Sequence, residues 1–514
     1  MIALLTGFYR KNPLGTILLS GLFFRLISAV FSRGYGMIDD HFLVIEIAQE
    51  WVDGLNTNGW LPDAHNPDAL PPGFSFLYPG FHYLLFSLLD YTGIFNPEIK
   101  MLVVRILHAF YSLWVVYFGY RIAEKIQGES CARWVGWSLA LLWFMPFLSV
   151  RNLVEMACLV PLMYSTLLLV RIEKEEKQSK ILPYLFAGLM GGIAFSVRFQ
   201  TSLFLLGMGL VLAGRQQWKA AFYFGLGVLA AIVLVQGGID TAVWGRPFIQ
   251  LQGYVLYNQS HAFDYITGPW YNFLLIVPAA LVPPMGIVLF LGWFGLWRRQ
   301  AMLFWPGFLF LLFHSAFPNK QERFIFPLLP FVVIGGLVFL FSGFESQKKW
   351  PAYLKPALVF SAGLNLIFLL FISPASTRIS PVDTMIFLSR LPENKCFVLE
   401  STNSHDEILL PKFYTRNWAR HAELTPDYRA ANFRANLPHL QACPFRYVVF
   451  REETDLKKRV LEFETQFGPL RHIQTIESSY FDRFLFWLNP KGNKIKDYFI
   501  FEKGPQNSGK HTMP

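Results

Sequence analysis

Charge is scarce in this 514-residue chain. Asp, Glu, Lys and Arg make up 16% of it, where a soluble domain carries about 25%. That deficit excludes a disordered chain, which combines high charge with little hydrophobicity, and an ordinary cytosolic enzyme. Cysteine is scarce too: four residues, with no CxxC spacing, exclude a disulfide scaffold and argue against a zinc site. The sequence has no fixed-period repeat and no low-complexity tract. The balance of 45 Lys and Arg against 35 Asp and Glu would suggest nucleic acid in a soluble domain. Here the basic residues stand in short clusters between apolar runs, which fits cytoplasmic loops and no nucleic-acid partner.

What is abundant is apolar. Hydrophobic residues reach 53%, aromatics 17% with 52 Phe, and the mean hydropathy is +0.35. Apolar stretches too long for buried core helices recur along most of the chain, so the unit to count is the membrane span. The runs predict spans near 13–32, 100–122, 134–150, 153–171, 181–197, 200–214, 219–237, 271–297, 301–317, 324–343 and 355–373, about eleven in all. Basic clusters fall at Arg10-Lys11, Arg121/Lys125/Arg133, Arg171/Lys174/Lys177/Lys180, Arg215/Lys219, Arg298-Arg299 and Lys348-Lys349/Lys355. Placing them inside puts the N-terminus in and the C-terminus out. The first run follows Arg10-Lys11 without a small-residue cleavage site and reads as a retained helix. The short run 79–92 reads as a partial or re-entrant helix on the outer side.

The expected fold is therefore a polytopic α-helical membrane protein with a small C-terminal α/β extramembrane domain. Residues 1–376 form the transmembrane part with a long outer loop at 33–78, residues 377–505 the outer domain, and 506–514 a disordered tail. Cys396-Phe-Val-Leu and Tyr447-Val-Val-Phe450 read as short buried strands, and 381–391 and 454–467 as helices. Cys131 and Cys158 read as small core residues. Cys396 and Cys443 precede strand-like runs and could pair in an oxidising compartment.

Charged residues at membrane depth are the candidates for chemistry. Asp39-Asp40 follow the first helix directly, as either a solvated loop start or a catalytic pair. The stretch from His41 through Glu46 and Glu50 to Trp51 has helical periodicity and fits an amphipathic helix along the bilayer surface. Arg25 lies inside the first apolar run, Arg151 and Glu155 interrupt another, and Arg198 stands at the centre of a hydrophobic hairpin. An Arg at that depth costs several kcal/mol unless it is paired or faces a polar cavity. Arg198 reads equally as a turn marker at the outer surface. Lys320, Glu322 and Arg323 sit between two spans on the outer side, the wrong side for cations. They read as an anion site, with phosphate the first candidate, or as an ordinary loop network.

These pieces, in order, resemble glycosyltransferase family 22, the polytopic mannosyltransferases with a lipid-phosphate mannose donor, and within it the GPI-mannosyltransferase III branch. After Arg25 come Ile38-Asp39-Asp40-His41-Phe42-Leu43, then Phe74-Ser75-Phe76-Leu77-Tyr78-Pro79, Arg151-Asn152-Leu-Val-Glu155 and Arg198-Phe-Gln-Thr201. The loop Gly238-Ile-Asp240 to Trp244-Gly245, on to Tyr257-Asn258 and Gly268-Pro269-Trp270-Tyr271, is similar to the family's longest motif. Asn319-Lys320-Gln321-Glu322-Arg323-Phe324 is similar to its His-Lys-Glu-Glu-Arg-Phe. The chain departs from the family at Asp40, where the family has Glu, at Leu43, where it has Gln, and at Asn319 and Gln321.

The resemblance implies a GT-C type fold and a hexosyltransferase, most simply a mannosyltransferase. Its partners would be a polyprenyl-phosphate-sugar donor, a glycan or glycolipid acceptor and membrane lipids, with no cofactor and no metal. Asp39 would be general base and Asp40 would orient it or the acceptor. Lys320, Arg323 and Arg198 would hold the donor phosphate, with Glu322 fixing those cations and Arg25, Arg151 and Glu155 in support. Asp240, Trp244, Asn258, Trp270 and Tyr271 would form a substrate loop, although aromatic residues there equally suit interfacial anchoring. Two adjacent carboxylates on one loop do not flank a sugar from both sides, which favours inversion. A lipid-linked sugar flippase or an oligosaccharide ligase is the alternative. Compact loops favour a bacterial inner membrane with a periplasmic site over an endoplasmic reticulum membrane with a lumenal one.

Overall fold

A computed structural model describes residues 11–56, 59, 61, 71, 73–174, 180–344, 354–392, 396–403, 409–426, 443–490 and 493–504. The tail 506–514, most of 57–72, and Arg10, Lys177, Lys348 and Lys349 lie outside the described residues. The chain divides into two compact units. One comprises Met1–Phe31, Leu43–Leu88 and Leu102–Pro374; the other comprises Ser32–Phe42, Leu89–Met101 and Ala375–Pro514. The division departs from a simple boundary at 376, because residues 32–42 and 89–101 join the C-terminal part.

Six helical runs among the described residues are long and apolar enough to cross a membrane. They are Pro13–Phe31, Pro97–Leu141, Val154–Lys174, Trp218–Trp244, Glu322–Gly343 and Leu354–Ile372. The protein is thus a polytopic helical membrane protein: a helix satisfies its own backbone groups where lipid cannot. Three expected spans have other boundaries. The runs 100–122 and 134–150 give way to a helical stretch that ends at Leu141 and breaks at Gly128, where φ is 81°. The run 271–297 divides into helices Asn272–Ala280 and Met285–Phe294 around Pro283 and Pro284, since proline lacks the N–H a helix interior needs. Helix Leu77–Tyr91 has 15 residues, about 22 Å at 1.5 Å per residue. Helices Leu182–Val197 and Trp218–Ala231 meet backbone to backbone. A Cβ on Gly188 would stand 2.1 Å from the Phe224 carbonyl oxygen, and one on Gly227 2.1 Å from that of Leu185, the close approach that small residues allow between membrane helices.

The second unit holds a five-stranded sheet of β1 Cys396–Glu400, β2 Arg420–Leu424, β3 Tyr447–Arg451, β4 Leu470–Ile476 and β5 Tyr498–Lys503, ordered β2-β1-β3-β5-β4. Strand β1 runs parallel to β2 and β3; β3-β5 and β5-β4 are antiparallel. Every residue of β1 and β3 is buried, which is why both read as continuous apolar runs. Helix Leu456–Phe467 sets Phe463 against Val398, Val448, Phe450 and Phe501. The buried Arg459 pairs with Glu400 and donates to the Arg451 carbonyl at 3.0 Å. Cys396 and Cys443 are bonded, with Cα atoms 5.5 Å apart, while Cys131 and Cys158 are free and buried.

Candidate active site

Asp39 and Asp40 stand in the one-turn helix Ile38–His41 of the second unit. Asp40 is buried, and its Oδ2 accepts the Met37 N–H at 2.9 Å. It thereby closes the helix start in the manner of a capping-box carboxylate. Asp39 is half-buried. Asp40 is thus committed to holding the turn and Asp39 is the more accessible carboxylate of the pair.

That turn is clamped by a neighbour in sequence and by residues far along the chain. His41 is buried and lies flat between Tyr35, 5.2 Å away with planes 19° apart, and Tyr414, 5.5 Å away at 11°. Upstream, Gly34 and Thr377 form a parallel bridge. The Thr377 N–H donates to the Arg33 carbonyl at 3.2 Å, and its hydroxyl to that of Tyr35 at 2.9 Å. Arg33 pairs with Asp383 at 2.6 Å. Burial raises the Asp383 carboxyl from its ordinary value, and the Arg33 guanidinium opposes that shift. Downstream, the amphipathic surface helix expected after Asp40 is not what forms. Residues 42–46 make a π-helical turn and 47–52 an α-helix, and Val44 to Glu50 are buried throughout, with Glu46 and Glu50 at 0% exposure. The wide turn shifts the helix face, so that protein surrounds both carboxylates.

In the first unit, three segments far apart in sequence meet around Glu155. Arg198 ends helix Leu182–Val197 in extended conformation. Its buried guanidinium pairs with Glu155, and Nη2 lies 3.5 Å from the Phe324 carbonyl. The Arg198 Nε has no hydrogen-bond partner among the described residues. Arg323 Nε lies 4.0 Å from the same Glu155 oxygen and donates to Gln321 Oε1 at 2.9 Å. Both guanidiniums approach the Phe324 ring, at 5.6 and 5.4 Å. Arg151 is buried with its guanidinium 4.5 Å from the Phe147 ring. Replacing Glu155 with Leu leaves buried guanidinium charge together without its carboxylate and should cost about 3–5 kcal/mol. The check is a lowered Tm in detergent, with Glu155→Asp closer to wild type.

Several assignments shift. Lys320 spends its ammonium on the carbonyls of His314 at 2.8 Å, Ser315 at 2.7 Å and Phe317. An ammonium has three donors, so all are committed to the C-terminal end of helix Ala301–Ala316, where a cation is favoured. Burial lowers the Lys320 ammonium from its ordinary value. Glu322 is exposed, and the carboxylate beside Arg323 is Glu155 instead. Arg25 is a staple: its guanidinium donates to Ser112 Oγ at 3.0 Å and to the Gly21 and Ala140 carbonyls at 3.2 and 3.0 Å.

Asp240 is buried with both oxygens engaged, by Gln236 Nε2 at 2.9 Å and the Gln250 N–H at 3.2 Å. Gln250 in turn accepts the Phe76 N–H at 3.1 Å. Asp240 therefore braces the loop. Trp244 packs near Phe76 at 5.9 Å, and Asn258 donates to the Tyr254 carbonyl at 2.8 Å. Trp270 and Tyr271 are exposed. The loop is joined to the cation segment by a Thr267–Asn319 bridge and by the Lys320 N–H, which donates to the Ile266 carbonyl at 2.8 Å.

Sequence reasoning missed a buried histidine in helix Leu77–Tyr91. His82 meets the Tyr78 carbonyl at 3.0 Å, while the Tyr78 hydroxyl meets His108 Nε2 at 3.0 Å. The spacing of Tyr78 and His82 at i, i+4 was the available signal, obscured by the shortness of the run.

The family model for Alg9-like mannosyltransferases matches residues 16–416. GPI mannosyltransferase 3 of Yarrowia lipolytica is 24% identical over 389 residues, covering 74% of this chain and 71% of that protein. The alpha-1,2-mannosyltransferase ALG9 of Mus musculus is 27% identical over 176 residues, 31% of this chain and 29% of its own length. Among solved structures, ArnT from Cupriavidus metallidurans bound to undecaprenyl phosphate superposes with a TM-score of 0.58 at 10% identity, over 94% of this chain and 97% of that one. The Archaeoglobus fulgidus oligosaccharyltransferase gives 0.55 at 11%, over 88% and 70%. At such identities the likeness to the two structures is one of fold.

Proposed function

The chain belongs to the Alg9-like mannosyltransferase family, and from that premise we propose that it moves a mannosyl or related hexosyl unit from a polyprenyl-phosphate-linked donor to a glycan or glycolipid acceptor on the outer side of the membrane. The acceptor hydroxyl attacks the anomeric carbon as the bond from that carbon to the phosphate oxygen breaks. Asp39 takes the hydroxyl proton, and the departing polyprenyl phosphate keeps the bonding electron pair. One displacement inverts the anomeric centre. Arg198 and Arg323 stabilise the phosphate, Glu155 holds both guanidiniums, Lys320 caps the helix that leads into the Arg323 segment, and Asp40 holds the Asp39 turn.

The observation that carries this reading is the buried Arg198 guanidinium, fixed by Glu155 with its Nε donor unused among the described residues. A buried donor without an acceptor costs free energy unless a ligand supplies one, and a phosphate oxygen fits a guanidinium well. The Cys396–Cys443 bond supports an oxidising side for the second unit. We assign that side to the periplasm of a bacterial inner membrane, with the lumen of the endoplasmic reticulum as the alternative.

The testing experiment is transfer by the purified protein from labelled polyprenyl-phosphate-mannose to a panel of lipid-linked and soluble mannosides. Transfer supports the proposal; failure of the protein to bind the donor overturns it and moves the flippase reading up. The His41 stack makes a further expectation. Tyr414→Leu keeps bulk but loses the flat ring, and should lower kcat at least tenfold with donor KM unchanged, whereas Tyr414→Phe should stay within about twofold. Equal kcat in the two variants would show that the stack does not position the turn.

A further inference from the structure

Helix Tyr480–Leu488 turns an apolar stripe outward. Tyr480, Phe484, Trp487 and Leu488 recur at i, i+4, i+7 and i+8, one face of a helix. Tyr480 is 48% exposed, Trp487 73% and Leu488 57%. The Phe484 ring stacks on Trp487 at 6.0 Å, and Phe481 on another side is buried. One apolar face thus holds the helix to its unit, and a second faces outward.

The path of the chain limits what can cover that second face. The Ser479 hydroxyl donates to the Ser376 carbonyl at 2.7 Å, and the Asp482 carboxylate accepts the Arg378 N–H at 3.0 Å. Ser376 follows Ile372, the end of the last span, by four residues. Four extended residues reach at most about 14 Å, and the headgroup zone beyond the hydrocarbon is itself about 5–8 Å deep. The start of the helix is therefore tethered within reach of the lipid surface. Exposed Lys494 and Lys496 follow it, and aromatic residues beside Lys are the composition of interfacial segments.

We propose that helix Tyr480–Leu488 lies in the lipid–water interface of the membrane that this chain spans, with Trp487 and Leu488 among the upper acyl chains and Lys494 and Lys496 at the level of anionic headgroups. Ser376, Thr377 and Arg378 carry the contacts that fix both this helix and the Gly34–Tyr35 segment. The helix and the Asp39 turn are thus tied to the same short segment. The docking itself does not depend on the transferase reading.

The test uses the full chain in nanodiscs of phosphatidylcholine and phosphatidylglycerol. A nitroxide is attached at Trp487→Cys, at Leu488→Cys and, as a control, at Lys458→Cys, whose side chain is 72% exposed. The free Cys131 and Cys158 are buried, so the introduced thiol is the reactive one. Labels at 487 and 488 should collide several-fold more with oxygen than with a soluble nickel chelate, and the label at 458 the reverse. If the chelate reaches 487 and 488 as readily as 458, the face points to water or to a protein partner and the proposal is overturned. Two adjacent label sites keep the answer from resting on one variant's folding.

Discussion

Asp39→Asn should leave a folded protein that binds donor and transfers no sugar. The change keeps the shape of the side chain, but an amide cannot take a proton, and general-base catalysis is worth about 10²–10⁴ in rate. Asp40→Asn should be milder. Asp40 accepts the Met37 N–H, and an Asn side-chain oxygen still accepts a hydrogen bond, so the turn persists and at least a tenth of wild-type turnover should remain. Asp40→Ala removes the acceptor and should cost more. Single-turnover transfer from labelled donor, beside equilibrium donor binding, separates these outcomes. Normal transfer by Asp39→Asn would sink the base assignment. Equal loss in both Asn variants would mean that the two carboxylates act as one unit.

The parts of the protein that announce themselves in the sequence do so through the cost of being out of place. Arg151, Glu155 and Arg198 interrupt apolar runs, and charge at that depth needs a partner, so their candidacy was readable. Which partner each takes was not. The carboxylate beside Arg323 is Glu155, 168 positions away, and not the adjacent Glu322, because helix ends bring together what the chain separates. Lys320 reads as a ligand cation until its three carbonyl contacts are seen; a lysine capping a helix end leaves no pattern beyond its position. The apolar runs gave spans because lipid leaves a helix no other means of satisfying its backbone. The break at Gly128 within 97–141 depends on one residue's φ. The union of residues 32–42 with the C-terminal unit rests on contacts such as His41 with Tyr414, which have no local periodicity to read.

That union makes Gly34→Ala the second large effect. Gly34 has φ +81°, and a Cβ there would stand 1.9 Å from the Thr377 carbonyl oxygen. The left-handed conformation costs a non-glycine residue about 1–2 kcal/mol. The overlap adds more, because the obstacle is backbone and cannot rotate away. Relief requires residues 32–35 to leave 375–377, which breaks the Thr377 bonds to Arg33 and Tyr35 and frees one end of the Asp39 turn. A misplacement of about 1 Å can cost 10² in rate, so transfer should fall about a hundredfold. Donor binding, which we assign to Arg198 and Arg323 of the other unit, should persist. Gly54 supplies the control: its φ is +66° and a Cβ there meets nothing within 4 Å, so Gly54→Ala carries the backbone strain without the collision. Transfer rates and thermal unfolding of the two variants, measured side by side, isolate the contact. If Gly34→Ala behaves like Gly54→Ala, residues 375–377 do not hold the catalytic turn; if it alone loses transfer while binding donor, the C-terminal unit is part of the catalytic apparatus.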